Sequence, residues 1–306
     1  MLSRLNGKMI STNSLLNTNL ATGTPNSLLG YDAAGNPVNL STSGLLTVSS
    51  GVATVTGRIK ATGDVTLYVT TTGNDSTGNG LTVGTAFATP LKAWQTFINN
   101  YDLGGHAATI SLGNGTYAGF ACTGYPVGCL TITITSTSGV ASNVILDGTV
   151  PGNSLVVYQT YATITNITLS GGQWGINAQY GATVVATGVA FGAASSAHMV
   201  AEYSGAYISA NNYTITSGTT YHAQAAILGN IQISGTITLT GAKAFTAFYG
   251  VSELGVIHAV GVTYTGGGGS TGSAYNISSG GMIATGNNGS GIPSGTGGTN
   301  SGGYFN

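Results

Sequence analysis

The sequence predicts an all-β fold, a right-handed parallel β-helix made of stacked coils of about 20–26 residues, with a short α-helix capping its N-terminal end. Three observations predict it. A two-part unit recurs along the second half of the chain; apolar and polar residues alternate with period two inside each unit; and the 306 residues combine 42% apolar content with only 4% charged residues, where about 25% is usual. That apolar fraction can fill a sizeable core, whereas disordered chains join low hydrophobicity to high net charge. Gly is abundant at 51 residues but lacks the period of three that collagen needs.

The units read ATITNITLS from Ala162, ATVVATGVAF from Ala182, AYISANNYTI from Ala206, IQISGTITLT from Ile231 and VIHAVGVTYT from Val256. MIATGN opens a sixth at Met282, so the starts follow one another at a nearly constant step. Period-two alternation points one row of side chains inward and one outward. Ile167 and Leu169, Val189 and Phe191, Tyr213 and Ile215, Ile237 and Leu239, and Val262 and Tyr264 fall at equivalent positions. A single coil cannot bury its own apolar row, but coils stacked at about 4.8 Å continue each row into the next. The units close on Gly181, Gly205, Gly229, Gly255 and Gly281, where a turn of positive φ suits glycine. An antiparallel sandwich or barrel also uses short alternating strands, but its turns recur about every 8–12 residues, at dipeptides such as Asn-Gly. Earlier coils include TITITS from Thr131 and NVILDG from Asn143, and the coils together occupy 64–281.

Ahead of the coils, ATPLKAWQTFINNY predicts a helix near 89–101. Thr89 is placed to cap it and Pro90 fits its first turn. Leu91, Trp94, Phe97 and Ile98 form its apolar stripe, and Trp94 and Phe97 are read as residues that close the open end of the solenoid. In GNDSTGNG, Asn74 and Asp75 are read as bonding their own backbone in a turn, because one carboxylate does not make a calcium site. Residues 1–63 carry short alternating runs with too little apolar material for a core of their own. They are expected to order against copies of themselves or another protein. Residues 282–306 form a Gly/Ser/Asn-rich tail. Cys122 and Cys129 bracket a loop short enough for a disulfide to close, although cytosolic synthesis favours free thiols.

Three stretches carry a resemblance. TPNSLLGYDAAGNPVNLSTSGLLTVSSGVATVTG resembles the particle-proximal segment of phage tail fibres. YVTTTGNDSTGNGLTVGTAFATPLKAWQTF, from Tyr68 to Phe97, is similar to the entry and capping helix of pectate-lyase-like β-helices in phage tailspikes. GGMIATGNNGSGIPSGTGGTNSGGY resembles fibre C-terminal segments. The resemblance to bacteriophage or prophage tail-fibre, tailspike and head-fibre proteins implies a homotrimer located in the virion. Residues 1–63 would attach it to other virion proteins, and its flank or tip would meet a host-surface glycan. It also leaves two functional classes open, a binding fibre and a polysaccharide-cleaving enzyme.

The residues favour the binding class. Aromatic faces suit the apolar faces of sugars, and the chain has 16 Tyr against 2 Trp; Tyr158, Tyr161, Tyr180, Tyr203, Tyr207, Tyr221 and Tyr249 are the candidate carbohydrate contacts. A glycoside hydrolase needs two carboxylates about 5–9.5 Å apart across one groove. Glu202 and Glu253 lie two coils apart, about 10 Å if aligned, with Asp147 as a third candidate. A pectate-lyase mechanism, which the resemblance ties to an acidic calcium cluster and a basic residue, finds only Lys243 as a cation after Lys92. A bacterial surface adhesin is a further alternative, but the N-terminus through Leu16 is not a convincing signal peptide. With a net charge of −1 and no basic cluster, nucleic acid and membrane surfaces are poor partners. No metal or other cofactor is expected, since His106, His198, His222 and His258 lack partners at metal spacing.

Overall fold

The computed structural model describes residues 57–150, 152–286, 292, 293, 295 and 297–306, together with the backbone of six short strands between residues 2 and 55. The chain divides into two units, 1–58 and 59–306. In the first, Leu2–Leu5 pairs with Lys8–Ser11, Ser27–Tyr31 with Pro37–Ser41, and Leu46–Ser49 with Val52–Val55, each as an antiparallel pair. The attachment role expected of this segment, the reading of the N-terminus through Leu16 as no signal peptide, and positions 287–291, 294 and 296 of the Gly/Ser/Asn-rich stretch lie outside the described residues.

The second unit is a parallel β-solenoid of about eight turns. Each full coil contributes a first strand, a corner, a second strand, a turn and a third strand, and then a closing corner leads to the next coil. First and second strands run through one 15-stranded sheet, and third strands form an 8-stranded sheet. In the coil from Tyr161 these are Tyr161–Thr165, Thr168–Ser170 and Trp174–Gln179.

Register fixes the core. Ala162 lies level with Val184, Ile208, Ile231, Ile257, Ile283 and Phe305. Several of these levels differ from the apparent unit starts at Ala182, Ala206, Val256 and Met282. The second strands stack Leu169, Phe191, Ile215 and Leu239 in one column, and Gly266 follows them because Tyr264 falls level with Ile237. Apart from Phe305, which is half-buried at the end, the aliphatic and aromatic members of these columns are almost wholly buried, and burying each such side chain contributes about 1.5–3 kcal/mol. The ladders continue beyond residue 281, the expected end of the coils. Gly298–Ser301 pairs with Thr271–Ser278, and Tyr304–Phe305 pairs with Met282–Ala284. The stacked rings of Tyr275 and Phe305, 4.0 Å apart, anchor that end.

The helix spans Pro90–Asn100, with Thr89 Oγ1 accepting from Lys92 N at its start. Asp75 does not close its own turn, as the sequence suggests it should. It reaches forward to accept from Ala88 N, Thr89 N and Thr89 Oγ1, staking the helix start, while Asn74 Oδ1 takes the local bonds from Ser76 and Thr77 N–H. Trp94 and Phe97 are buried, and Trp94 Nε1 donates to Thr123 O at 3.0 Å. Leu91, assigned to the apolar stripe, is 40% exposed; Pro90, Ala93, Trp94 and Phe97 define the packed face, and Leu91 falls about 100° from Pro90 around the helix. Cys122 and Cys129 are free thiols. No disulfide joins them, because Cys122 points into the core while Cys129 Sγ is directed at Thr131 O.

Candidate functional site

The closing corner of the coil, where the third strand turns into the next first strand, gathers the side chains with chemistry to offer. One column of this corner holds Tyr158, Gln179, Glu202 and Ala226. The next residue along each coil begins the turn and takes positive φ: Gln159 at 51°, Tyr180 at 52°, Tyr203 at 62°, Ile227 at 48° and Glu253 at 50°. Left-handed backbone tips these side chains outward past the edge of the sheet. Tyr180 and Tyr203 stack with ring centroids 4.6 Å apart and planes only 6° from parallel, and Tyr158 leans on Tyr180 at 4.9 Å. Because a ring-to-ring distance of 4.6 Å matches the coil spacing, the solenoid itself sets the stack. Apolar exposure continues along the ridge through Leu228 and Leu254, which are 52% and 60% exposed.

Glu202 is held beside the stack. Its Oε1 accepts from Gln179 Nε2 at 2.7 Å and from Asn177 Nδ2 at 3.2 Å. The nearby Glu202 carboxylate, followed by Tyr180, desolvation and Glu253, raises the pKa of the Tyr203 phenol. Glu202 and Glu253 do not share a column. Glu202 lies level with Ala226, and so with Ser252 one coil on; Glu253 sits in the adjacent turn column, two coil spacings or about 10 Å along the axis. Asp147 belongs to a different face, in the second-strand ladder between Ala118 and Ser170. Its carboxylate accepts from Thr149 N and Oγ1, which lowers its pKa. The three carboxylates named from sequence are thus not brought into one groove.

The other tyrosines divide. Tyr161 and Tyr207 sit in one column on the far side of the corner, with Thr183 between them, and bond Thr163 Oγ1 and Gln232 Oε1. Tyr221 lies flat over Gly250, where an added Cβ would come within 2.7 Å of its ring, and its hydroxyl accepts from Asn276. Tyr249 cannot meet a sugar. It is fully buried and its hydroxyl bonds Tyr264, because AFTAFYGV breaks the in-out alternation and packs Phe245, Phe248 and Tyr249 together.

Sequence reasoning missed a polar network inside the solenoid. His198 Nδ1 lies 3.0 Å from His222 Nδ1, and His222 Nε2 lies 2.6 Å from the Tyr213 hydroxyl. All three residues are buried among Phe191, Phe245 and Phe248. Two Nδ1 atoms so close need one proton between them, and burial keeps both rings neutral: it drives the His198 pKa down to about 3 and lowers that of His222, which the neighbouring His198 lowers further. His106 instead lies 3.8 Å from Asp64, and His258 is exposed. Among the described residues no group of three His, Cys, Asp or Glu is placed to hold a metal ion, and no helix is long and apolar enough to cross a membrane. Compared with family models, curated proteins and solved structures, the chain matches none.

Proposed function

We propose that this chain is a phage fibre or spike subunit that projects from the virion and binds host-surface carbohydrate through the Tyr158–Tyr180–Tyr203 corner. The observation that supports this reading is the tyrosine stack. Three large rings are carried outside the core, two of them on left-handed backbone where a bulky residue costs about 1–2 kcal/mol, and such strain tends to collect at functional positions. The exposed side of the ring stack, with Tyr180 42% exposed and Leu228 beside it, flanked by Gln179, Glu202 and Tyr hydroxyls, offers the mixture of apolar surface and polar rim that sugars require. The particle location, a homotrimeric state and attachment through residues 1–63 rest on the motif resemblance, and together they make the solenoid a rigid spacer carrying a binding edge.

Affinity electrophoresis of the purified chain against surface polysaccharides of candidate hosts, with reducing ends followed in parallel, tests this. The expected result is retention without chain shortening, weakened about tenfold or more in the Tyr180→Ala/Tyr203→Ala double variant. Shortening that disappears in Glu202→Gln would replace the reading with a depolymerase, and no retention by any glycan would overturn it.

A further inference from the structure

The charge around the tyrosine stack has one sign. Within residues 59–306, Asp64, Asp75, Asp102 and Asp147 each accept from a backbone N–H, Asp102 and Asp147 in local turns, Asp75 at the helix start and Asp64 from the distant Ala107. The two glutamates of the solenoid do not, and both stand at the closing corner. Among the described residues, Glu202 Oε1 takes two side-chain amides while Oε2 has no hydrogen bond, and Glu253 is exposed with no hydrogen bond or ion pair from its side chain. The Asn177 amide is fully buried; having donated to Glu202, it leaves Oδ1 without a partner. No cation answers them from within: among the described residues of this unit the lysines are Lys60 and Lys92 at the capped end and Lys243 at the far end of its third strand, with Nζ bonded to Thr240 O. The face of Tyr203 turned away from Tyr180 carries no second ring among the described residues and attracts cations through its quadrupole, so this ring and the carboxylates favour the same kind of ligand.

We infer that the glycan taken at this corner carries free, protonated amino groups, so that an amino sugar is selected over neutral, N-acetylated or acidic sugars. The inference rests on the carbohydrate-binding reading and names its substrate class. Sugar rings pack against the exposed side of the Tyr180–Tyr203 stack and along Leu228, and their ammonium groups meet Glu202 on one side and Glu253 two coils further on. An acidic polymer is repelled by the same two carboxylates, and an N-acetylated one brings no charge to offset their desolvation.

Isothermal titration of the full chain at mildly acidic pH, with chitosan tetramer, its fully N-acetylated counterpart, cellotetraose and tetragalacturonate as probes, tests the inference. Chitosan tetramer is expected to bind about tenfold or more tighter than the others. Glu253→Gln, a change at an exposed position, should remove most of that preference, whereas Asp147→Asn, which alters charge by the same amount elsewhere, should leave it intact. Equal affinity for chitosan and its N-acetylated form, or a preference that survives Glu202→Gln/Glu253→Gln, overturns the amine selectivity. If a neutral or acidic probe still binds and Tyr203→Ala abolishes that binding, carbohydrate binding stands while the selectivity fails. No binding of any probe to the unaltered chain overturns the selectivity, and the polysaccharide panel then decides separately whether the corner binds sugar.

Discussion

The solenoid has two corners that ask for the same backbone and receive opposite residues. Between the first and second strands the left-handed position is occupied by Asn166, Gly188, Asn212, Gly235 and Gly261; at the closing corner it is occupied by Gln159, Tyr180, Tyr203, Ile227, Glu253 and Ser279. Asn and Gly enter left-handed backbone most readily. At the first corner they also interlock: a Cβ on Gly188 would stand 2.6 Å from Asn166 Oδ1, and one on Gly235 would stand 2.4 Å from Asn212 Oδ1, which itself accepts from Thr236 N. At Gly188 and Gly235 the first corner is thus filled for stability, whereas a Cβ added at Gly261 would meet nothing within 4 Å. The closing corner is roomy where the tyrosines stand, the nearest atom to a Cβ added at Gly181 being Ser204 O at 4.0 Å, and tight further along, where a Cβ at Gly229 or Gly255 would stand 2.0 or 2.4 Å from Ala201 O or Ala225 O. Its large side chains gain about 0.5–1.5 kcal/mol per stacked ring pair against a similar backbone cost. One corner holds the coil and the other presents groups to the outside.

Exchanging the residues between corners should give the largest effect. Gly188→Tyr adds left-handed strain to a collision with Asn166 and is expected to cost about 3 kcal/mol or more, read as a fall in the urea midpoint; a loss below about 1 kcal/mol would mean that the first corner is as open as the closing one. Acid should act on both corners at once, because Tyr213 follows Asn212 of the first corner while His198 lies on the strand that ends at Glu202 beside Tyr203. Both histidine pKa values are depressed by folding, so the unfolded chain binds protons that the folded chain refuses. Stability is full above the unfolded value near 6.5 and declines as pH falls from there toward about 3, by about 1.4 kcal/mol per pH unit for each histidine. Urea titrations from neutral to acid pH check the slope, and hydrogen exchange at both corners checks that they open together.

Asn212→Ala is a smaller change. It removes the acceptor for Thr236 N and leaves a Cβ residue in left-handed backbone without Asn's local bonding, for an expected loss of about 2 kcal/mol by thermal or urea unfolding. Tyr203→Asn should move stability least, by no more than about 1 kcal/mol in either direction, since strain relief offsets the lost stacking. Its glycan retention should nevertheless fall about tenfold, a separation of binding from folding that a purely structural stack would not give.

Much of this architecture is legible in the chain because its core obeys one simple rule. Period-two alternation repeated at coil length picks out Ile167 and Leu169, Val189 and Phe191, Tyr213 and Ile215, and Ile237 and Leu239 without any tertiary information, and all eight are buried, whereas Val262 and Tyr264 are half-buried. The exact register is less legible. Ala182 and Ala206 look like strand starts, yet Val184 and Ile208 are level with Ala162, since the two alanines are buried at the corner itself. Tyr249 escapes the rule for a related reason: in a run where Phe245, Phe248 and Tyr249 all pack inward, alternation gives no inward or outward answer. Asp75 and Leu91 escape it because their roles depend on a partner well along the chain at Ala88 and Thr89 and on the direction from which the first coil meets the helix.

By itself, then, the sequence determined the repeat, the strand character, the capping helix and the neutral surface, because these follow from local spacing and composition. The tertiary structure decided which side chains from different coils become neighbours. Tyr158, Tyr180 and Tyr203 come from three successive coils and meet only because the turns between them have lengths that bring the rings into stacking register. Glu202 and Glu253 are offset by one column for the same reason, and the His198–His222–Tyr213 network exists only where two coils close around it. Such contacts are set by sums of turn lengths, where a single inserted residue moves a side chain to the opposite face.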